Sequence, residues 1–227
     1  MKSAMLGMAI LTAATAVAQV VISAESGLVY HTEGRTFIND RPLYQKFGKF
    51  PQMSDGDLFR TGRGRAEVLL NPDAFLRLGP RSSIRMVSGL LTDARVELLS
   101  GRVVLEAEAL HKETPVTLTF GDATITFRKR GVYRLDTEPA GLRVYSGEAV
   151  VEASGQRVTV GKGKLLMLDG TAAVQPFDRK ETDGLGQWSS YRSESLAAVN
   201  SSATRSARIG RTAERPRLRR DEEAGAP

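Results

Sequence analysis

The sequence predicts an all-β fold, a jelly-roll-like sandwich of two β-sheets, followed by one C-terminal helix and a disordered tail. Between Gln19 and Gln175, short apolar runs are separated by Gly, Asp-Gly and Pro, a pattern typical of short strands joined by turns. From Glu181 to Val199, apolar residues recur at helical spacing. From Asn200 onward the chain is mainly Ser, Ala, Arg and Glu, and so little apolar content predicts disorder.

Residues 1–18 are predicted to be a signal peptide. An uncharged apolar stretch follows Lys2 and ends at Ala16-Val17-Ala18, the small-x-small pattern that signal peptidase accepts, with cleavage expected before Gln19. The alternative is an uncleaved N-terminal helix that anchors the chain, because residues 5–22 approach the roughly 20 residues needed to span a bilayer. In either case the following residues are expected outside the cytoplasm, and the mature protein is expected to be periplasmic or secreted.

Residues 19–178 are predicted to form the β domain. Its central strands are predicted at 66–70, 74–78 and 83–87, because Pro and Gly mark the turns between them. Within the second of these strands, Leu76 and Arg77 fall on opposite faces, as expected for a half-buried sheet.

Two later segments, 95–107 and 142–153, resemble each other. Each places Ser-Gly between two apolar strands, and Gly101 and Gly147 are predicted to form two-residue hairpin turns because glycine accepts a positive φ. Two copies are too few for a solenoid and instead fit a sandwich with two similar halves. Further strands are predicted at 116–120, 123–127, 131–135, 156–160 and 164–168.

Residues 179–199 are predicted to form the C-terminal helix, with Asp178 or Thr182 as its N-cap. An isolated helix of this length is marginally stable in water. The face that contains Trp188 and Tyr191 is therefore expected to dock onto the sandwich.

The predicted tail, residues 200–227, is rich in arginine, and the whole chain has a net charge of +6. Because nucleic acid is not expected outside the cytoplasm, the partners for these arginines would be anionic lipid, lipopolysaccharide or cell-wall polymer. The alternative is a solvating tail without a ligand.

Composition argues against catalysis. The chain has no Cys, which excludes disulfides, thiolate metal sites and cysteine nucleophiles, and it has only two His, His31 and His111. No nucleophile elbow, P-loop or zinc-binding spacing is present, so the sequence predicts no enzyme activity, no cofactor and no metal site. A metal-dependent enzyme is the third-ranked function, and a metal held by either His with carboxylates would favour it.

Arg65, Arg77 and Arg85 are the candidate ligand-binding residues. By alternation, each lies on the face opposite the buried residues of its own strand, and neighbouring strands would align the three as a basic stripe. Guanidinium groups bind phosphate and carboxylate groups bidentately, so the stripe would hold an anionic polymer. The alternative is a solvated sheet face without a ligand. A second cluster, residues 128–130, is predicted to protect a strand end or edge from aggregation.

The stretch from Asp57 to Ser83 resembles the FecR family of bacterial envelope proteins. Asp57-Leu58, Thr61-Gly62 and Gly64 match the opening motif of that family, and residues 76–83 match the hairpin that follows it. The sequence departs from the family pattern at Asp73-Ala74, where Asp-Gly is usual, and at Val132, where the family often has Thr after Arg-Gly. The resemblance covers roughly residues 20–170 and implies an architecture rather than a particular chemistry.

FecR-like domains are best known as the periplasmic part of transmembrane regulators that sense a loaded outer-membrane receptor and control a sigma factor. Only Met1-Lys2 precede the apolar segment, so no cytoplasmic arm is expected here. The resemblance then implies a stand-alone exported module that binds a protein or an anionic envelope glycan or polymer without catalysis. The alternative is an accessory component of FecR-like envelope signalling. The oligomeric state and the identity of the ligand stay open.

Overall fold

The computed structural model describes residues 26–44 and 49–213, which form fifteen strands and one α-helix. The predicted signal peptide at 1–18 and the predicted tail from residue 214 onward lie outside the described residues. The elements are β1 Leu28–Glu33, β2 Thr36–Ile38, β3 Arg41–Leu43, β4 Leu58–Thr61, β5 Arg65–Asn71, β6 Ala74–Leu78, β7 Ser83–Ser88, β8 Ala94–Ser100, β9 Arg102–Ala107, β10 Val116–Phe120, β11 Ala123–Thr137, β12 Ala140–Ala153, β13 Gln156–Gly161, β14 Lys164–Met167, β15 Val174–Pro176 and α1 Gly184–Ala213.

All fifteen strands belong to one curled sheet, which has two arms. The first arm has the spatial order β3-β2-β4-β7-β8, and the second has the order β1-β5-β6-β9. Neighbouring strands within each arm are antiparallel. The predicted all-β fold is confirmed. However, hydrogen bonds run continuously from one arm to the other and do not divide the strands into the two separate sheets of the predicted jelly roll.

The long strands β11 and β12 connect the two arms. The first part of β11 pairs with β10, which lies beside β8, and its last part pairs with β9. Strand β12 follows β11 along its length and pairs first with β14 and then with β13. The pairing register of β11 and β12 shifts between Phe127 and Tyr133, and such bulges bend a strand pair. This bend lets both strands pass from one arm to the other.

The hydrophobic core lies between the two arms. Val68, Leu76 and Leu105 from the second arm share one fully buried cluster with Ile84 and Val96 from the first. The alternation read from the sequence explains this, because every second side chain of each strand points to the same face. Full burial of such a side chain contributes about 1.5–3 kcal/mol.

The two Ser-Gly sites do not form the predicted hairpins. Strands β8 and β9 are not paired with each other, so Gly101 leads the chain from the first arm to the second. Gly147 lies inside β12, near the bend of that strand. Both glycines have the expected positive φ, 85° and 94°. The presence of glycine was enough to predict the positive φ at each site. The pairing partner of each strand depends on distant residues and was not predicted.

Helix α1 starts and ends later than predicted. Asp183, rather than Asp178 or Thr182, caps it, since its Oδ1 accepts hydrogen bonds from the backbone N–H of Leu185 at 3.1 Å and of Gly186 at 3.0 Å. The helix continues past residue 199 into the predicted tail and ends at Ala213. Ala and Arg are good helix formers, which explains the extension. No described helix is long and apolar enough to cross a membrane.

Candidate functional site

Helix α1 covers part of the outer face of the second arm. Leu185 and Trp188 are buried there against Val104 and Val132, in a small apolar cluster outside the main core. The docking predicted for Trp188 is therefore confirmed, whereas Tyr191, expected on the same face, is 65% exposed. This apolar contact is small. The other described contacts between the helix and the sheet are mainly hydrogen bonds and ion pairs.

Four charged residues, Glu67, Arg77, Glu106 and Arg192, form a buried ion cluster beneath the helix. Arg77 is 1% exposed, its Nε donates to Glu67 Oε2 at 2.7 Å, and its Nη1 pairs with Glu106. Arg192 of the helix reaches the other carboxylate oxygen of Glu67 at 2.8 Å. Arg77 Nη1 also donates to Ser189 Oγ at 2.8 Å. Each carboxylate faces a guanidinium, which offsets the cost of removing these charges from water.

Trp188 extends the interface to strand β1. Its Nε1 donates to Glu33 Oε1 at 2.6 Å, and Arg65 Nη2 lies 2.9 Å from Glu33 Oε2. The Arg65 guanidinium lies 5.2 Å from the centroid of the Trp188 ring, which is cation–π geometry. Burial raises the pKa of Glu33, but the Trp188 hydrogen bond and the Arg65 charge outweigh it and hold this pKa below its usual value.

Asp183 joins the start of α1 to the sheet. While Oδ1 caps the helix, Oδ2 accepts hydrogen bonds from Arg102 Nη1 at 3.0 Å and Arg134 Nη2 at 2.8 Å. Arg134 is held by Asp136 at 2.9 Å. Burial raises the pKa of Asp183, but the hydrogen bonds from Arg134 and from the Gly186 N–H outweigh it and keep this pKa well below its usual range.

The structure does not bring together the three arginines of the predicted basic stripe. Arg65 is paired with Glu33, and Arg77 is buried in the ion cluster. Arg85 lies on the first arm, where its Nη1 is 2.8 Å from Glu97 Oε2. Strands β6 and β7 are consecutive in sequence but belong to different arms, so the predicted alignment of the three arginines is wrong, whereas their role in ligand binding stays a prediction. The alternation was correct, since each arginine does lie on the face opposite the core.

Sequence reasoning missed Glu67, Asp183 and Arg192. Glu67 stands between the buried residues Ala66 and Val68 of β5, so alternation alone places it on the solvent-facing side of an amphipathic strand. A signal for these three residues was present in the prediction that the helix docks onto the sheet. A helix that docks on the outer face of a sheet must cover some of its polar side chains, and these then need partners.

The two histidines contact different carboxylates of the second arm. His31 Nε2 is 3.5 Å from Glu33 Oε1, and His111 Nε2 is 3.0 Å from Asp73 Oδ2. Across residues 26–44 and 49–213, no group of three or more His, Asp or Glu side chains is arranged to hold a metal ion. The basic residues 128–130 lie at the bend of β11, where Lys129 pairs with Glu148 at 2.9 Å.

An aromatic surface, made of Tyr30, Phe50 and Phe75, lies beside the helix on the same arm. The Tyr30 and Phe50 rings stack at 5.2 Å with 7° between their planes, and Phe75 meets Tyr30 edge-on at 5.9 Å. Phe50 is 44% exposed. The Arg77 guanidinium lies 5.8 Å from the Phe75 ring, so the aromatic surface adjoins the buried ion cluster.

A cleft of about 840 Å³ runs along α1, between the helix and strands β9, β11 and β12. Its volume lies within the range of small-molecule sites. Glu106 and Arg134 line it, but both are already engaged, Glu106 with Arg77 and Arg134 with Asp136 and Asp183. These two charged groups thus help to hold the helix in place.

Comparison with known proteins gives a family and a distant likeness. The model of the family described as FecR protein matches residues 57–173, just over half of the chain. No curated protein matches the chain. Two crystal structures of a candidate anti-sigma factor from Parabacteroides distasonis are similar to it, each at 12% identity, with TM-scores of 0.44 and 0.43. The first alignment covers 53% of this chain and 58% of that chain, and the second covers 52% and 57%. The chain thus spans less than two thirds of these neighbours' length.

Proposed function

Because the chain belongs to the FecR protein family, we propose that it is a non-catalytic module of the bacterial envelope that binds a partner protein through the aromatic surface. In this proposal, residues 1–18 direct export and the mature chain from Gln19 acts in the periplasm or outside the cell. The aromatic surface, in which Phe50 is 44% exposed, is the observation that supports binding of a protein.

The aromatic surface has the properties of an interaction site. Aromatic side chains are enriched at the centres of protein interfaces, where they bury large areas and have few rotatable bonds. Phe50 is held in place before any partner arrives, because the Val29 N–H donates to the Pro51 carbonyl at 2.8 Å and Leu28 bridges to Gln52. A preorganised surface loses less entropy on binding.

The charged residues of the outer face support a non-catalytic role. Glu67 is paired with both Arg77 and Arg192, and Asp183 is paired with Arg102 and Arg134. The pKa of Asp183 lies well below its usual range, so this carboxylate is poorly suited to accept a proton from a substrate. These groups serve to position α1.

A second candidate function is an accessory role in envelope signalling, and Arg77 is the observation that favours it. Its guanidinium adjoins Phe75 of the aromatic surface and also bonds Ser189 of α1. A partner that moves Phe75 would therefore bias the docking of the helix. The largely polar interface between helix and sheet resembles transient interfaces, which favours such a change.

Site-specific photocrosslinking in the native host tests the proposed function. A photoreactive phenylalanine analogue replaces Phe50 in one variant and Val174 in the control, because both side chains are 44% exposed and they lie on different strands or loops. We expect one defined protein adduct at position 50, none at position 174, and loss of the adduct when Phe75→Ser is added. Equal adducts at both positions, or an adduct unaffected by Phe75→Ser, would contradict the proposal.

A further inference from the structure

Four turns lie side by side at one end of the curled sheet. Each takes the chain from one arm to the other, at residues 34–35, 62–64, 79–82 and 101. Since the arms have the matching orders β1-β5-β6-β9 and β2-β4-β7-β8, consecutive turns are neighbours in space. This end of the protein is therefore built from four crossings that lie side by side and alternate in direction.

Every one of these crossings presents an arginine. Arg35, Arg63, Arg81 and Arg102 follow Gly34, Gly62, Gly79-Pro80 and Gly101, and all four are exposed. We call these four residues the arginine row. Neighbouring strands are about 4.8 Å apart, so the four positions span about 14 Å. The sequence shows only scattered Gly-Arg pairs, which the topology aligns.

The backbone of the arginine row is fixed by contacts between the turns. The Gly62 N–H donates to the Arg35 carbonyl at 2.8 Å, and the Arg81 N–H donates to the Gly62 carbonyl at 2.7 Å. The Gly79 N–H donates to the Arg102 carbonyl at 3.0 Å. Gly64 packs so closely that a Cβ there would lie 1.7 Å from the Glu33 carbonyl oxygen. The row is therefore preorganised.

The charge of the arginine row is largely unneutralised. Arg102 is paired with Asp183 at 3.0 Å. Among the residues that the structure describes, Arg35, Arg63 and Arg81 form no ion pair, in contrast to Arg65 and Arg77 nearby. Several exposed like charges held together repel one another unless an anion binds between them.

We propose that the arginine row binds a linear polymer that carries repeated phosphate groups. Guanidinium groups bind phosphate bidentately, and a row of fixed cations about 14 Å long matches an extended chain better than one small anion. Such a ligand follows the row across the four turns, outside the aromatic surface, because Phe75 lies at the opposite end of β6. This site is independent of the proposed protein partner.

Binding of the full-length mature chain to inorganic polyphosphate tests the proposal. The double variant Arg35→Gln/Arg63→Gln is compared with Arg128→Gln/Arg130→Gln, which removes the same charge from two exposed arginines at the bend of β11. All chains keep the arginines beyond residue 200, so a difference in affinity between the two double variants reports on the arginine row alone. We expect affinity to fall about 2- to 30-fold in the first variant, because exposed charge pairs contribute modestly, and to change little in the second.

Salt dependence and two further ligands make the test specific. In the first variant, the slope of log affinity against log salt should decrease by roughly one per arginine replaced. Orthophosphate should bind far more weakly than polyphosphate, because it reaches only one or two arginines. Equal losses in both double variants would overturn the proposal. So would binding that prefers phosphatidylglycerol vesicles to polyphosphate, since the ligand would then be a membrane surface.

Discussion

Arg77 and Glu67 are direct register partners on β6 and β5, and their side chains form a 2.7 Å ion pair that is almost completely buried beneath α1. Outward-facing residues of a sheet are normally solvated. Here the helix closes over them, so that Arg77 meets Ser189 and Glu67 meets Arg192. The pair therefore links the sheet to a helix more than a hundred residues away in sequence.

Breaking this pair should be costly. Arg77→Met leaves the fully buried Glu67 and the partly buried Glu106 with fewer partners, and loss of one member of a buried ion pair typically lowers the free energy of unfolding by about 3–5 kcal/mol. Arg85→Met is the matched control, because its pair with Glu97 is exposed and should contribute about 0–1 kcal/mol. Urea unfolding measures both. Similar small losses in the two variants would mean that the cluster is more hydrated than its burial indicates.

Docking of α1 should weaken in acid. The pKa values of Asp183 and Glu33 lie below their ordinary values of 3.8 and 4.5 in the folded protein. A depressed pKa contributes stability that is present above the ordinary value and is lost as pH falls through the folded value. Fluorescence of Trp188, the single tryptophan, should therefore change below about pH 4.

The control for this titration is Asp183→Asn. Asparagine also caps helices, so the variant keeps the cap but loses the charge that binds Arg102 and Arg134. Its fluorescence should depend less on pH. An unchanged titration curve would show that other groups control the docking.

Gly101 and Gly147 should each be required. A Cβ at Gly101 would lie 2.4 Å from Ser82 Oγ, and one at Gly147 would lie 2.1 Å from Tyr133 Oη. Replacement of either by Val adds this clash to a φ that β-branched residues avoid, so each variant should lose at least about 1–3 kcal/mol of stability. Gly155→Asn is the control, since φ is also positive there but nothing lies within 4 Å. Equal melting temperatures for all three would refute this account.

Truncation should separate the two parts of α1. The described contacts between helix and sheet involve residues 184–193, so a chain that ends at residue 199 should melt at nearly the same temperature as the full chain. A chain that ends at residue 183 should melt at a clearly lower temperature, because Arg77 and Glu67 then lose their helix partners. Thermal denaturation followed by circular dichroism distinguishes these outcomes. A large loss in the longer chain would show that residues 200–227 also stabilise the domain.

Export can be tested directly. If residues 1–18 are a signal peptide, N-terminal sequencing of the protein from the envelope fraction should begin at Gln19. An envelope protein that still begins with Met1 would instead favour the anchored alternative. A cytosolic chain with Met1 would contradict both.

Local features of the sequence predicted the β elements well. The strand predicted at 74–78 coincides with β6, and those at 66–70 and 83–87 lie within β5 and β7. The backbone conformation of Gly101 and Gly147 was also predicted correctly, since both have positive φ, although neither forms the predicted hairpin turn. These properties depend on alternation and on backbone conformation, which neighbouring residues determine.

The candidate sites were predicted less well. Arg65, Arg77 and Arg85 share the same alternation, yet Arg65 is paired with Glu33, Arg77 is buried and Arg85 lies on the other arm. Alternation determines the face of a strand but contains no information on which strand lies beside it or what covers it.

By itself, the sequence determined the all-β class, the faces of the central strands and the docking of Trp188, because each follows from the spacing of nearby residues. Only the tertiary structure decided that Glu67 would be buried and that Arg35 and Arg63 would lie side by side. Both outcomes depend on crossings between the arms and on a helix contact 125 residues away. Such long-range pairings are selected by the packing of the whole core, and no local pattern encodes them.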